Sequence, residues 1–415
     1  MRDHFVTGID IGTSTIKALV AQKKGRDWEM VCCAQRPSFG LRRGAVTNIE
    51  ETAKNIQLLI SGIERDNNIR INSAFVNIGG SHLYVTPSDG IISVSRADQR
   101  ISEEDIERVL QATRAINIPS NEEILDVFAR EFIIDDQKGI KQPLGLTGVR
   151  LQAKVILLCY FQSYFINLTQ AVLNAKLQIN DVVPSVLAAA EAVLTPQQKE
   201  LGVALIDIGG DTTSLAVFEE GDLTHLAVFP LGSANITKDI AIGLRTDFAT
   251  AEEIKNQYGA CMILANKKEK KNNRAVSEKK NIEVSSKDAT VSFTKKGLVD
   301  IIEPRVSEIL GVMQKELKSI GRQELLPGGI VLTGGGAKLP YIRELTREQL
   351  RLPCELGILK GILGIDQDPA LATVAGLVLG GGNIDDMEGD GISGFLASLK
   401  KMIFRVSKMF KVFIP

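Results

Sequence analysis

The sequence predicts a two-lobed α/β protein built from duplicated halves, and three observations carry that prediction. First, "VTGIDIGTSTIKALVA" (6–21) and "VALIDIGGDTTSLAVF" (203–218) align without gaps, 203 − 6 giving an offset of 197. Each holds a β-branched apolar run, an aspartate, a glycine turn with small hydroxyl residues and a second apolar run. That is a strand–turn–strand hairpin with the aspartate at the end of its first strand. Second, "GGIVLTGGGAKLP" (328–340) sets a buried-strand run before Gly334, Gly335 and Gly336, and "YIRELTREQL" reads as the helix that follows. Third, 415 residues leave room for two to four domains, and a hydrophobic content of 44% is enough to build their cores.

Between the repeats, 101–118 and 166–177 have the spacing of helices, while 84–96 and 127–134 alternate like strands. "VRLQAKVILLCYF" (149–161) is a strand signal of unusual length. Residues 267–287 are polar, basic and unpatterned, as expected of a solvated surface loop. A formal net charge of −1 argues against bulk nucleic-acid binding. "MRDHFVTGIDIG" lacks the apolar core of a signal peptide. Five scattered cysteines and three histidines give no zinc spacing and fit a reducing, cytoplasmic compartment.

The last 25 residues, "GISGFLASLKKMIFRVSKMFKVFIP", contrast with the rest. At ~100° per residue, Phe395, Leu396, Leu399, Met402, Ile403, Val406, Met409, Phe410 and Phe413 fall within an arc of about 140°. Lys400, Lys401, Arg405, Lys408 and Lys411 lie opposite, with Phe404 and Val412 as exceptions on that side. Charges recur too often for a spanning helix, which needs ~20 nearly uninterrupted apolar residues. A polar face of one positive sign suits anionic lipid headgroups; a partner-binding helix and a core helix are the alternatives. The acidic, glycine-rich stretch 380–392 reads as a flexible linker before a membrane-surface helix at 393–415.

The duplicated hairpins carry the chemistry. Turns 12–15 ("GTST") and 209–213 ("GGDTT") offer main-chain N–H groups and hydroxyls suited to phosphate oxygens. Asp10 and Asp207 would then lie near a divalent cation; Mg²⁺ is usually held by one or two carboxylates, water and substrate phosphates. The third glycine turn lets backbone approach a flat ring. Rival nucleotide motifs are missing: no Gly–Lys dipeptide exists for a Walker A loop, and "GDGISG" (389–394) follows no strand.

These turns resemble those of the actin, Hsp70 and sugar-kinase superfamily. With "SFGLRRGAV" (38–46), "REFIIDDQKGIKQPLGLTGVRLQAKV" (130–155) and the amphipathic tail, the chain is most similar to the FtsA family of bacterial actin-like cell-division proteins. The resemblance implies an actin-like two-lobed ATPase fold with duplicated ribonuclease-H-like halves and a family-specific inserted subdomain. Its implied divisions are subdomain 1A at 1–83 and 165–194, the inserted 1C at 84–164, 2A at 195–255 and 330–379, and 2B at 256–329. It also implies ATP and Mg²⁺ binding. Asp10, Gly12, Thr13, Ser14 and Lys17 match the first phosphate motif, and Asp207, Gly209, Gly210, Asp211, Thr212 and Thr213 the second. Thr333 to Gly336 match the adenosine motif. Glu252 and Lys255 match a helix that meets ribose and adenine, the alternative being an ordinary i, i+3 surface pair.

The implied partners are the FtsZ C-terminal peptide, further copies of the chain, other division proteins and anionic lipids at the inner face of the cell membrane. Arg305 in "DIIEPRVSEIL" is the expected peptide anchor, with Pro304 in the first turn of its helix; an ion pair with Glu308 is the alternative. Active relatives place Glu or Gln where this chain has Val183, so hydrolysis should be slow at most. An enzyme of the same fold, kinase or chaperone ATPase, and a pilus-assembly scaffold are the alternative readings.

Overall fold

A computed structural model describes residues 5–25, 27–263, 281–285 and 290–389. The basic 264–280 stretch and the tail 393–415 lie outside the described residues. The first lobe opens with the hairpin β1 (Phe5–Ile11) and β2 (Thr15–Lys24), then β3 (Asp27–Pro37) and a two-residue-turn hairpin of β4 (Leu41–Arg42) and β5 (Ala45–Val46). Helix α1 (Ile49–Asn67) is capped by Asn48, whose side chain accepts from the Glu51 N–H, and ends on the left-handed Asn68. It buries Ile56, Leu59, Ile60 and Ile63 at helical spacing. Strand β6 (Ser73–Ile78) completes this part.

The inserted unit follows: β7 (Tyr84–Ser93), α2 (Glu103–Thr113), β8 (Glu122–Ile134), β9 (Gln137–Ile140) and β10 (Arg150–Phe161). The long strand signal is β10, which lies between β7 and β8, and this central place explains its almost continuous apolar run. The unit has its own core, including Ile106, Val109, Phe132, Leu151 and Leu157. The chain returns through α3 (Gln162–Asn174), β11 (Gln178–Pro184), α4 (Ser185–Val193) and α5 (Pro196–Leu201).

The second lobe repeats the plan with β12 (Val203–Ile208), β13 (Thr213–Glu219), β14 (Asp222–Phe229), α6 (Ser233–Leu244) and α7 (Phe248–Tyr258). Next come β15 (Asn281–Ser285), β16 (Thr290–Thr294), α8 (Lys295–Ser319), β17 (Ile330–Thr333), α9 (Ile342–Leu350), β18 (Cys354–Leu356), β19 (Ile362–Leu363) and α10 (Ala372–Gly389). One sheet runs β11-β6-β1-β2-β3-β19, and the other contains β18-β17-β12-β13-β14, which repeats the first five strands in order. The duplication read at an offset of 197 is therefore a duplication of a five-stranded unit.

The second sheet continues through β7-β10-β8-β9, so the inserted unit, covalently part of lobe one, extends the sheet of lobe two. One register pair, Ala227–Tyr84, makes the seam. Lys141 reinforces it, meeting Asp222 at 2.7 Å and Glu220 at 3.1 Å.

Three expectations change. Residues 281–285 pair with β16 as a strand instead of belonging to a loop. Pro304 lies inside α8, not in its first turn; α8 already starts at Lys295, capped by Thr294. Residues 380–389 continue α10 where a flexible linker was expected. Glycine there permits close packing: a Cβ at Gly381 would overlap the Phe75 ring, and one at Gly382 the Trp28 ring. Tertiary contact thus overrides a poor helix propensity. α10 also crosses the alanine-rich α4 so closely that a Cβ at Gly376 would strike the Ala188 carbonyl.

Candidate functional site

The two hairpin turns face each other across the lobes. A Cβ at Gly210 would overlap Ser14 Oγ, so the turns meet at van der Waals contact. Each turn is closed by the same hydrogen bond: Gly12 N–H to the Thr15 carbonyl at 3.2 Å, and Gly209 N–H to the Thr212 carbonyl at 2.8 Å. The second turn is fixed further by α6, because the N–H groups of Ser233 and Ala234 donate to the carbonyls of Gly209 and Gly210. A short bridge crosses the lobes where Arg43 N–H donates to Asp211 at 3.2 Å; beside it, within the first lobe, Gly44 N–H donates to Thr13 Oγ1 at 3.3 Å. Thr213 is fully buried, its hydroxyl donating to the Leu231 carbonyl at 2.7 Å.

Asp10 and Lys17 are cross-strand partners in the β1–β2 ladder. Both are buried, and Lys17 Nζ lies 3.0 Å from Asp10 Oδ2. The other Asp10 oxygen accepts from Asn77 Nδ2 at 2.9 Å, while Asn77 Oδ1 accepts the Ile11 N–H at 2.6 Å. That second bond fixes which way the amide points. Ser185, at the start of α4, joins Asn77 at 3.0 Å. Burial opposes the charge on Lys17, but Asp10 and then Asp207 and Asp368 outweigh it and raise its pKa.

Asp207 has a different setting. It stands opposite Ser214 in the β12–β13 ladder and opposite Thr333 on β17. Burial first, then the charge of Asp10, push its carboxyl up to about 6 despite Lys17. The third glycine turn abuts it: Gly334 has φ +83°, and a Cβ there would overlap Asp207 Oδ1. The next residues, Gly335–Lys338, form a 3₁₀ turn, and Gly336 packs against Ile208. So the structure gathers Asp10, Lys17, Asp207 and all three glycine turns around one cleft. A carboxylate raised by burial and by a neighbouring carboxylate is a place where a cation lowers the energy.

The other expected residues have partners of their own. Glu252 and Lys255 do form the i, i+3 pair, at 2.7 Å, but Lys255 is buried rather than on the surface. Its ammonium also reaches Thr237 of α6 at 2.8 Å, and Glu252 meets the same hydroxyl at 2.5 Å. Arg305, the expected peptide anchor, makes the alternative pair with Glu308 and a two-point pair with Asp239 of α6, at 2.5 and 3.0 Å. Val183 lies on β11, two residues before α4. Asn77 and Ser185 were not expected; a single amide within an apolar strand, "SAFVNI", is their one trace in the sequence.

Comparison with known proteins decides the family. A family model for "Cell division protein FtsA" matches residues 204–376, and one for the "SHS2 domain inserted in FTSA" matches 80–159, the inserted unit. The FtsA of Pseudomonas aeruginosa is 38% identical over 91% of this chain and 89% of its own length. The chain belongs to the FtsA family. The FtsA of Bacillus subtilis is 35% identical over 91% of this chain and 83% of its own length, and that of Escherichia coli K12 is 30% identical over 90% and 89%. Solved structures share the fold of this family member. A PilM-PilN type IV pilus biogenesis complex gives a TM-score of 0.61 at 20% identity, covering 91% of this chain and 98% of that one. MreB5 of Spiroplasma citri bound to ADP gives 0.55 at 14%, covering 93% and 99%. The architecture is the actin-like one, with the SHS2 unit inserted in its first lobe.

Proposed function

We propose that this chain is an ATP-binding, self-associating division protein that tethers FtsZ filaments to the inner face of the cytoplasmic membrane. The observation that carries the nucleotide part is the pair of opposed hairpins with Asp10, Lys17 and Asp207 at their base. Ser14 and the Gly210–Thr212 turn would meet the phosphates, Asp207 the Mg²⁺ directly or through water, and Asp10 through water, because both its oxygens already have partners. Mg²⁺ would neutralise phosphate charge. The Gly334–Gly336 turn would face the adenosine, with Glu252 the nearer of the α7 pair to solvent. Val183 offers no group to orient water, which supports slow hydrolysis.

The membrane part rests on the segregated basic and apolar faces of 393–415; no helix among the described residues is long and apolar enough to cross a bilayer. Co-sedimentation with anionic liposomes and FtsZ, with and without ATP, tests the whole reading. The full chain is expected to bring FtsZ into the pellet, and a chain lacking 393–415 to leave it in solution while still binding ATP. Pelleting of the truncated chain would place the anchor elsewhere.

For the FtsZ peptide, Arg305 must exchange Asp239 or Glu308 for a peptide carboxylate. Asp239→Asn frees the fork and should tighten peptide binding in a fluorescence anisotropy titration, whereas Arg305→Gln should weaken it. Unchanged affinity in both variants removes this helix from the docking site.

A further inference from the structure

The mouth of the cleft holds a second, more exposed cluster. A cavity of about 80 Å³, open to solvent, is lined by Arg42, Arg43, Asp211, Pro230, Asn235 and Lys238. Arg42 and Arg43 come from the β4–β5 hairpin of lobe one, the other four from lobe two. Three cations therefore converge from both sides around one carboxylate. Among the described residues none of their charged groups has an ion-pair partner, and the Asp211 carboxylate accepts the Arg43 backbone N–H instead.

The backbone shows that this convergence is held in place. Arg43 and Gly44 are the two central residues of the hairpin turn, with φ of +51° and +78°. Such turns ordinarily carry Asn-Gly or Asp-Gly, because the left-handed conformation disfavours a long side chain at the first position. Here an arginine occupies it. Gly44 lies so close to Gly80 that a Cβ would come within 2.7 Å of its backbone nitrogen, and the Arg43 N–H is tied to Asp211. A strained position fixed by its surroundings points to a local function.

We infer that Arg42, Arg43 and Lys238 form an oxyanion site that bridges the lobes at the cleft mouth, adjoining the floor where Ser14 meets Gly210 through Asp211, and that it takes a phosphate-type anion. The guanidinium forks suit a tetrahedral oxyanion, and Lys238 adds a point charge from the opposite lobe. A bound anion relieves the repulsion among the three cations and favours the closed arrangement. The site stands whether or not a nucleotide occupies the floor.

The test uses the full chain and inorganic phosphate as probe, followed by ³¹P line-broadening at low ionic strength. Parent protein should bind phosphate saturably. Arg42→Gln with Lys238→Gln, both on exposed side chains, should weaken it by about tenfold or more. Lys141→Gln, an exposed cation at the seam of the inserted unit and not part of the cavity lining, should leave it unchanged. No saturable binding in the parent, or binding kept at parental affinity in the double variant, overturns the site. Titration of ATP and ADP then separates the sources. An ATP preference abolished by the double variant identifies the terminal phosphate of a nucleotide as the occupant, and an unchanged ratio identifies free phosphate; either supports the site.

Discussion

The two hairpins match in register, in turn length and in the hydrogen bond that closes each turn, yet their aspartates have opposite surroundings. Asp10 faces Lys17, and Asn77 takes its second oxygen. Asp207 faces Ser214, at the position of Lys17 plus 197, and its carboxyl rises to about 6. Duplication kept the frame and separated the roles. One carboxylate is built into the protein as part of a buried pair, while the other faces a serine instead of a lysine across its ladder.

The strongest way to break the contrast is Lys17→Ser, which gives the first hairpin the second's residue. Removing one partner of a buried pair leaves the other uncompensated, so we expect a loss of about 3–5 kcal/mol in denaturant unfolding. Ser214→Lys, the reciprocal change, should pull the Asp207 carboxyl down toward its usual range, visible in an NMR titration of that side chain.

Gly210→Ala attacks the contact between hairpins instead. Its Cβ would overlap Ser14 Oγ, so a cost of about 1–3 kcal/mol is expected, largely restored by Ser14→Gly in the double variant. Lack of restoration would mean that the turns do not meet.

Asp207→Asn sharpens the electrostatic half. The folded-state value of about 6 lies above the ordinary 3.8, so the stability this group contributes is present below about pH 4 and is lost as pH rises through 6. The nucleotide-free variant should therefore melt about 1–3 °C above the parent near pH 8, with no gain near pH 4, while losing Mg·ATP affinity. Equal melting curves at both pH values would mean that Asp207 is not held buried beside Asp10.

The smallest effect belongs to Lys141→Ala at the seam of the inserted unit. Its pairs with Asp222 and Glu220 are exposed and worth about 0–1 kcal/mol. Faster amide exchange confined to Ala227 and Tyr84 is the expected sign that the seam has loosened.

What the sequence revealed follows from how local each signal is. The hairpins, their aspartates and the three-glycine turn are written in contiguous stretches, and the structure brings them to one cleft. Asn77 could not be paired with Asp10 from sequence, because 67 residues separate them and only strand order joins them. Arg305 showed its Glu308 neighbour one helical turn away but not Asp239, 66 residues distant. Helix α10 runs through "GGG" against propensity because Phe75 and Trp28, from strands of the first sheet, leave room only for glycine at 381 and 382. Pro304 was misplaced because a helix start was read from proline alone, when the cap, Thr294, lies ten residues earlier.

The close crossing of α10 with α4 also has a mechanical side. Near its start α10 rests on β1, the Val374 carbonyl and Leu377 closing over Gly8 in the strand that carries Asp10. A pull on the far end of α10 is therefore delivered along the helix axis as shear, spread over Gly376 on Ala188 and Val374 on Gly8 at once. Contacts loaded in shear resist together instead of opening one after another. A force on the far end of α10 is carried toward the base of the cleft through these few ångströms, and Gly376 is the residue whose enlargement would cut that line.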